Sequence, residues 1–186
     1  AAASSSKFVD LTTAQTIAGV KKFSSDATIN GINIGRGGGN LNANSTAGLD
    51  ALAANTTGQY NTAVGSGALK SNTTADNNTA VGHETLKNNI GGAGNTALGR
   101  LALANSSSNN NTAIGLSALV TNTTGYENTA LGSLADVTAA NITNATAIGY
   151  NAKVSNSNTI QLGNTVVTDV KTNGQLTTGT VTYPNT

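Results

Sequence analysis

Cysteine, methionine and tryptophan do not occur in this chain of 186 residues, and aromatic residues make up only 3% of it. Without cysteine there are no disulfides, no thiolate zinc ligands and no cysteine nucleophile. Large side chains supply most of the burial energy of an ordinary core, and this chain has few of them. The sequence therefore argues against a conventional globular domain.

Charge is also scarce, at 9% of residues where about 25% is usual. The net charge is +1, and no basic run is longer than Lys21-Lys22. Nucleic-acid binding needs a clustered basic surface, so it is not predicted. Direct membrane insertion is not predicted either, because no apolar run approaches the roughly 20 residues of a membrane-spanning helix.

What the sequence does have is a repeat. The pentapeptide NTA-[VIL]-G occurs five times, and its closing glycines are spaced 17, 17, 16 and 17 residues apart: Gly65, Gly82, Gly99, Gly115 and Gly132. Degenerate copies end at Gly149 and Gly163, and Gly48 lies one period before the first copy. A fixed period of this kind indicates stacked structural units.

Each unit carries a second apolar column, usually Ala-Leu, three and four residues after the glycine, and then a polar connector such as NTTGQY. Asn, Thr and Gly are poor helix formers, whereas a short strand, a glycine bend, a second short strand and a polar loop fit every unit. The predicted fold class is all-β, a parallel β-roll or β-solenoid with coils of about 17 residues.

Alternation along NTAVG places Thr62 and Val64 on one face of the strand and Ala63 on the other. We expect the aliphatic column to point into the coil, and the threonines with it. The alanine column would then let backbones approach closely around an axis between chains. On this assignment Val64→Asp or Leu98→Asp would place a charge in a dry core.

The core of one coil is small. One Val, Ile or Leu, one further Leu and a few Ala supply only about 3 to 6 kcal/mol of large-side-chain burial. Ordering each residue costs roughly 1 to 2 kcal/mol of backbone entropy. Burial of a second face against identical chains would make up the difference, so a homo-oligomer is predicted.

Units such as NTAVGSGAL, NTALGRLAL and NTAIGLSAL resemble the left-handed parallel β-roll repeats of trimeric autotransporter adhesin heads, the YadA-like group. They are still more similar to the repeats of bacteriophage and phage-derived tail fibres. The resemblance covers about residues 30 to 165. It implies a homotrimer, intertwined or side by side, located on a virion, a phage-like tail fibre or a bacterial surface fibre.

The resemblance also divides the chain into three parts. Residues 1–35 contain QTIAGVKKF and resemble a module that precedes such repeats in tail fibres. Residues 36–156 hold the β-roll repeats. Residues 157–186 resemble a strand-rich neck.

No catalytic, cofactor-binding or metal-binding residues are predicted. His83, the single histidine, falls at the variable position after the glycine bend, and GRGGGN at 35–40 does not have the spacing of a phosphate loop. The eight acids neither cluster nor follow the calcium-binding nonapeptide, although calcium on a trimer axis stays an alternative.

The predicted function is a non-catalytic fibre segment, a rigid shaft or head that contributes to attachment to a host-cell surface. Recognition would use positions that packing leaves free, and the candidate contacts with a glycan or protein receptor are His83, Arg100, Tyr126 and Tyr150. Ice or polymer-surface binding through the threonine column is the alternative, weakened by the expectation that this column points inward.

Overall fold

A computed structural model describes residues 26–169 of the chain. The predicted module at 1–35 therefore lies mostly outside the described residues, as does the larger part of the predicted neck at 157–186. The described part contains twelve short strands and one 3-10 turn at Gly38–Asn40. The strands are β1 (Ala27–Ile29), β2 (Ile32–Gly35), β3 (Ser45–Ala47), β4 (Thr62–Val64), β5 (Thr79–Val81), β6 (Thr96–Leu98), β7 (Thr112–Ile114), β8 (Thr129–Leu131), β9 (Asp136–Val137), β10 (Thr146–Ile148), β11 (Lys153–Val154) and β12 (Ile160–Leu162).

Strands one coil apart pair in parallel and without slippage. Thr62, Ala63 and Val64 of β4 pair with Thr79, Ala80 and Val81 of β5, and the same pattern continues up to β12. The predicted β-solenoid with coils of about 17 residues is thus confirmed, over about seven turns. At the start of the stack, the antiparallel hairpin β1–β2 pairs antiparallel with β3.

The interior of each coil is lined by alanine and leucine. The middle alanines of β4 to β8 and of β10 are buried, and they share the core with a column of buried leucines: Leu52, Leu69, Leu86, Leu103 and Leu119. These five leucines have left-handed backbone, with φ between 51° and 53°. That conformation costs roughly 1 to 2 kcal/mol for a residue with a Cβ, but it turns the leucine side chain into the coil, where burial offsets the cost.

The expected direction of the strand faces is wrong. Val64 is 40% exposed and Leu98 48% exposed, whereas Ala63 and Ala97 are fully buried. The reason is space: the leucine from the opposite wall fills the narrow interior, which leaves room for only a methyl group on the strand side. The threonines and aliphatic residues point outward, and the alanine column packs inside the coil rather than around an axis between chains.

A ladder of buried asparagines holds successive coils together. The backbone N–H of Asn78 donates to Oδ1 of Asn61 at 3.0 Å, and that of Asn95 donates to Oδ1 of Asn78 at 2.9 Å. The side-chain Nδ2 of Asn61 donates across the coil to the carbonyl of Ala75 at 2.8 Å. The side chain therefore satisfies buried backbone groups that β-pairing leaves open at this corner.

The glycine after each strand is required by the stacking. Gly99 has a φ of 127°, and a Cβ at this position would lie 2.5 Å from the carbonyl oxygen of Gly115 in the next coil. Only glycine tolerates both the backbone conformation and the close approach. The repeated glycine is therefore a packing feature of the stack.

The coil changes where the leucine column ends. Asp136 and Lys153 take the leucine positions, and here β9 and β11 pair in parallel and bury Val137 and Val154 instead. The buried Asp136 carboxylate lies 3.6 Å from Nζ of Lys153 and accepts from the backbone N–H of Val137 at 2.9 Å. The Asp136–Lys153 ion pair therefore connects two successive coils near the end of the stack.

Candidate interaction surface

The outward side of the ten-stranded sheet carries two parallel columns of side chains, which we call the Thr–aliphatic face. One column is Ser45, Thr62, Thr79, Thr96, Thr112, Thr129 and Thr146, and the other is Ala47, Val64, Val81, Leu98, Ile114, Leu131 and Ile148. The two columns arise because residues two apart in a strand share a face. One threonine and one aliphatic side chain recur at each coil, about 4.8 Å apart along the stack.

The aliphatic column is exposed along most of its length. Leu98 and Leu131 are each 48% exposed, and Ile148 is 38% exposed. Leu116, which follows the Gly115 bend, is exposed beside this column. Exposed apolar side chains in a row of this kind are typical of interaction surfaces.

The threonine column is outward too, with each strand threonine from Thr62 to Thr146 half-buried or exposed. The threonines were expected to point inward together with the aliphatic residues, and this expectation is wrong. The two columns do share a face, but that face points away from the coil.

The structure does not bring the four candidate receptor contacts together. His83 and Arg100 follow the bend glycines of β5 and β6, on the side of the sheet where the strands end. Tyr126 precedes β8, on the side where the strands begin. Tyr150 follows β10 and therefore lies on the same side of the sheet as His83 and Arg100. All four side chains are exposed, and each belongs to a different coil.

The charges near His83 and Arg100 are partly compensated. Nζ of Lys87 donates to Oε1 of Glu84 at 2.8 Å, and Lys70 pairs with Asp50 at 2.9 Å. The hydrogen bond from Lys87 lowers the pKa of Glu84; desolvation opposes this shift, and the charges of Lys87, His83 and Arg100 add to it. Both pairs lie on the surface, where solvent screens an ion pair and it contributes little to stability.

A shallow cleft of about 190 Å³ opens near the end of the described chain. It is lined by Asn151, Lys153, Gln161, Gly163, Asn164 and Thr165. Its one charged side chain, Lys153, is paired with Asp136.

No family model, no curated protein and no solved structure matches this chain. Within residues 26–169, no three His, Asp or Glu side chains converge on a common point that would hold a metal ion. The same residues contain no helix with the length and apolar character needed to cross a membrane.

Sequence reasoning missed the outward face, although the repeat contains the signal that identifies it. Asn61 and Ala63 are two residues apart and must share a face. An asparagine that recurs before the strand of all five intact repeats is best explained by a buried ladder, as in stacked β-structures. Had the asparagine been assigned to the interior, the alanine would have followed it there, and Val64 would have been placed outside.

Proposed function

We propose that this chain is a non-catalytic structural segment of a fibre, in which identical chains associate through the Thr–aliphatic face. The observation that carries the proposal is the outward aliphatic column from Val64 to Ile148, which is exposed at every coil except that of the half-buried Val81. Burying the exposed part of each of these side chains would contribute about 1 kcal/mol. The column runs along the whole stack, so a partner with the same period would cover all of it.

A second copy of the same chain has the same spacing of coils, because its sequence is identical. A trimer, with the three faces turned towards a common axis, is the assembly that the resemblance to adhesin heads and tail fibres implies. In that arrangement the fibre would lie outside a cell or on a virion. It would project a receptor-binding region or contribute contacts of its own.

The proposal assigns no catalytic step. The acids Asp50, Asp76 and Glu127 lie on separate coils, and Asp50 is paired with Lys70. Hydrolytic or transfer chemistry needs a positioned pair of such groups. The described surface offers repeated contacts instead.

Sedimentation equilibrium tests the proposal. The wild-type chain of 18.3 kDa is expected to sediment with three times this mass. Leu98→Asp should reduce the mass to that of one chain and keep the β-sheet circular dichroism, because Leu98 points away from the coil. Thr74→Asp, at an exposed connector position, is the matched control and should leave the trimer intact.

A folded wild-type monomer at high protein concentration would contradict the proposal. Should Leu98→Asp fail to fold, the milder Leu98→Ser variant still distinguishes loss of assembly from loss of fold.

The outward threonine column favours a second candidate, a surface that binds ice or a crystalline polymer. The evenly spaced threonines, one per coil, present hydroxyl and methyl groups on a single face. This candidate requires the same face to be free. A monomer that shows freezing hysteresis, reduced in Thr96→Lys and retained in Thr74→Lys, would support it over the trimer.

A further inference from the structure

The two ends of the stack are built differently. The first coil carries β3, and no coil precedes it among the described residues, yet its interior is closed: Thr46 and Leu52 are both buried. At the other end, the last coil carries β12, and the cleft lined by Lys153 and Gln161 opens there. Residues before β3 therefore take the place of a preceding coil at the start of the stack.

The hairpin of β1 and β2 covers the sheet wall of the first coil. Ile34 and Gly35 of β2 pair antiparallel with Ala47 and Thr46 of β3. The hairpin does not begin another coil, because β1 turns back along β2 in the same sheet. The new edge strand, β1, has only three residues. Very short edge strands are one means by which natural sheets limit pairing with other chains.

A glycine loop at 36–40 covers the parts of the first coil that the hairpin leaves open. The N–H of Gly38 donates to the carbonyl of Leu52 at 2.9 Å, and Nδ2 of Asn55 donates to the carbonyl of Gly38 at 3.3 Å. The loop therefore lies on the buried leucine and on the start of the connector, where a preceding coil would otherwise stack.

The loop lies directly against the backbone of the first coil. A Cβ on Gly38 would be 2.6 Å from the carbonyl oxygens of Ala53 and Asn55, and a Cβ on Gly39 would be 2.6 Å from that of Thr56. Glycine is required where two backbones approach this closely. The contact explains the GRGGGN sequence, which does not have the spacing of a phosphate loop.

Asp26 joins the hairpin to the glycine loop. Its two carboxylate oxygens accept from the N–H groups of Arg36 and Gly37, each at 2.7 Å. Hydrogen bonds to an ionised acceptor are stronger than those between neutral groups. Asp26 precedes β1 whereas Arg36 and Gly37 follow β2, so this side chain closes the base of the hairpin and fixes the start of the loop.

The β12 end of a second copy is the surface that would extend the stack beyond β3. Among the described residues β12 pairs only with β10, so its other edge is open. In-register pairing of that edge with β3 would place Gln161 beside Thr46, the two polar residues at the alanine position of the parallel strands. The Thr46 hydroxyl is buried without a hydrogen-bond partner in the described structure. The two ends therefore match in strand direction and in polarity.

We propose that residues 26–40 form a terminating cap, which prevents the β12 end of a second copy from stacking on the first coil. Such a contact is head to tail and does not close, so it leads to filaments of undefined length. Repeat proteins need terminal caps for the same reason. The cap acts at the end of the stack and is independent of any association through the Thr–aliphatic face.

Gly38→Ala/Gly39→Ala tests the cap, because the two methyl groups would push the loop off the carbonyls of the first coil. The background is Leu98→Asp, or the wild-type chain if that is itself monomeric, so that the result does not depend on the proposed trimer. Amide hydrogen exchange at 51–58 should become at least about tenfold faster, while exchange in the coil of β7 stays unchanged. Sedimentation velocity should show a broad range of masses that extends upward as the protein concentration rises.

Gly31→Asn, in the turn of the same hairpin, is the matched control. A Cβ on Gly31 meets nothing within 4 Å, and asparagine tolerates its φ of 78°. Exchange and mass should therefore both stay at the values of the background protein. If the double alanine variant does not fold, Asp26→Ala opens the cap without adding an atom. Faster exchange at 51–58 without any increase in mass would overturn the proposal, and so would unchanged exchange.

Discussion

At the scale of single residues, the asparagine that precedes each strand from β3 to β8 has the most demanding role in the repeat. Its side chain lies inside a narrow coil, accepts from the next asparagine's backbone and donates to the connector on the far side. Alanine would leave those partners buried and unpaired. Hydrophobic columns alone do not account for how the coils hold together.

Asn95→Ala is expected to lower the free energy of unfolding by about 2 to 4 kcal/mol, because it leaves one buried and one partly buried backbone group without a partner. These are the Asn111 N–H, which donates to Asn95 Oδ1 at 2.9 Å, and the Ser108 carbonyl, which accepts from Nδ2 at 2.7 Å. Urea denaturation at matched protein concentration measures the change. Asn88→Ala, at an exposed asparagine, should shift it by no more than about 0.5 kcal/mol.

Equal effects of the two substitutions would show that the ladder is not a stabilising feature.

At the scale of the coil, the bend glycines set how closely neighbouring coils stack. A Cβ on Gly99 would lie within 2.5 Å of the next coil's backbone, whereas a Cβ on Gly91 meets nothing within 4 Å. The chain therefore contains two glycines of opposite character, one enclosed by the stack and one free in a connector.

Gly99→Ala is expected to destabilise the fold by at least about 2 kcal/mol, since it adds a backbone clash to an unfavourable φ. Gly91→Ala should be neutral or slightly stabilising, because it reduces the freedom of the unfolded chain without meeting an obstacle. Thermal melting of the two variants beside wild type makes the comparison. If Gly99→Ala melts at the wild-type temperature, the coils are less tightly stacked than described.

The period of the coil, the positions of the NTA-[VIL] strands and the glycine bends were predictable from the sequence, because close stacking restricts each column to like residues. The second strand expected in every unit is wrong: it forms only as β9 and β11, and in the earlier coils the left-handed backbone of the buried leucine interrupts an extended strand. The outward direction of Val64 was not. Alternation defines two faces but does not say which one is inside, and counting aliphatic residues favoured the wrong one. The end of the leucine column after Leu119 was not predicted either. In the next coil the buried aliphatic residue is Val137, one position later in the repeat than the leucines.

At the scale of the whole molecule, the sites proposed for receptor contact are distributed rather than concentrated. His83, Arg100 and Tyr150 lie where strands of the Thr–aliphatic face end, and Tyr126 lies where a strand begins. Each of the four residues belongs to a different coil. In a trimer each would occur three times, so weak contacts would add through avidity. Their side chains lie on the surface, so replacing them should leave the coil packing unchanged.

If the segment is adhesive, the triple variant Arg100→Ser/Tyr126→Ser/Tyr150→Ser should lose binding to cells or glycans at an unchanged melting temperature. His83→Ser alone, at a position where another coil has Ser66, should change stability by no more than about 0.5 kcal/mol. A glycan array and a cell-binding assay measure adhesion. Retained binding in the triple variant would identify this stretch as a passive shaft.

The 16-residue coil between Gly99 and Gly115 keeps Thr96 paired with Thr112, so a residue can be lost from the connector without disturbing the sheet. The connectors between coils therefore tolerate a change in length, so whole coils can be added or removed. Duplication of one repeat in the gene would lengthen the rod by about 4.8 Å. It would also add one threonine, one aliphatic residue and one free turn position. The reach of the molecule and the number of contacts it offers would grow in fixed proportion, without any new packing solution.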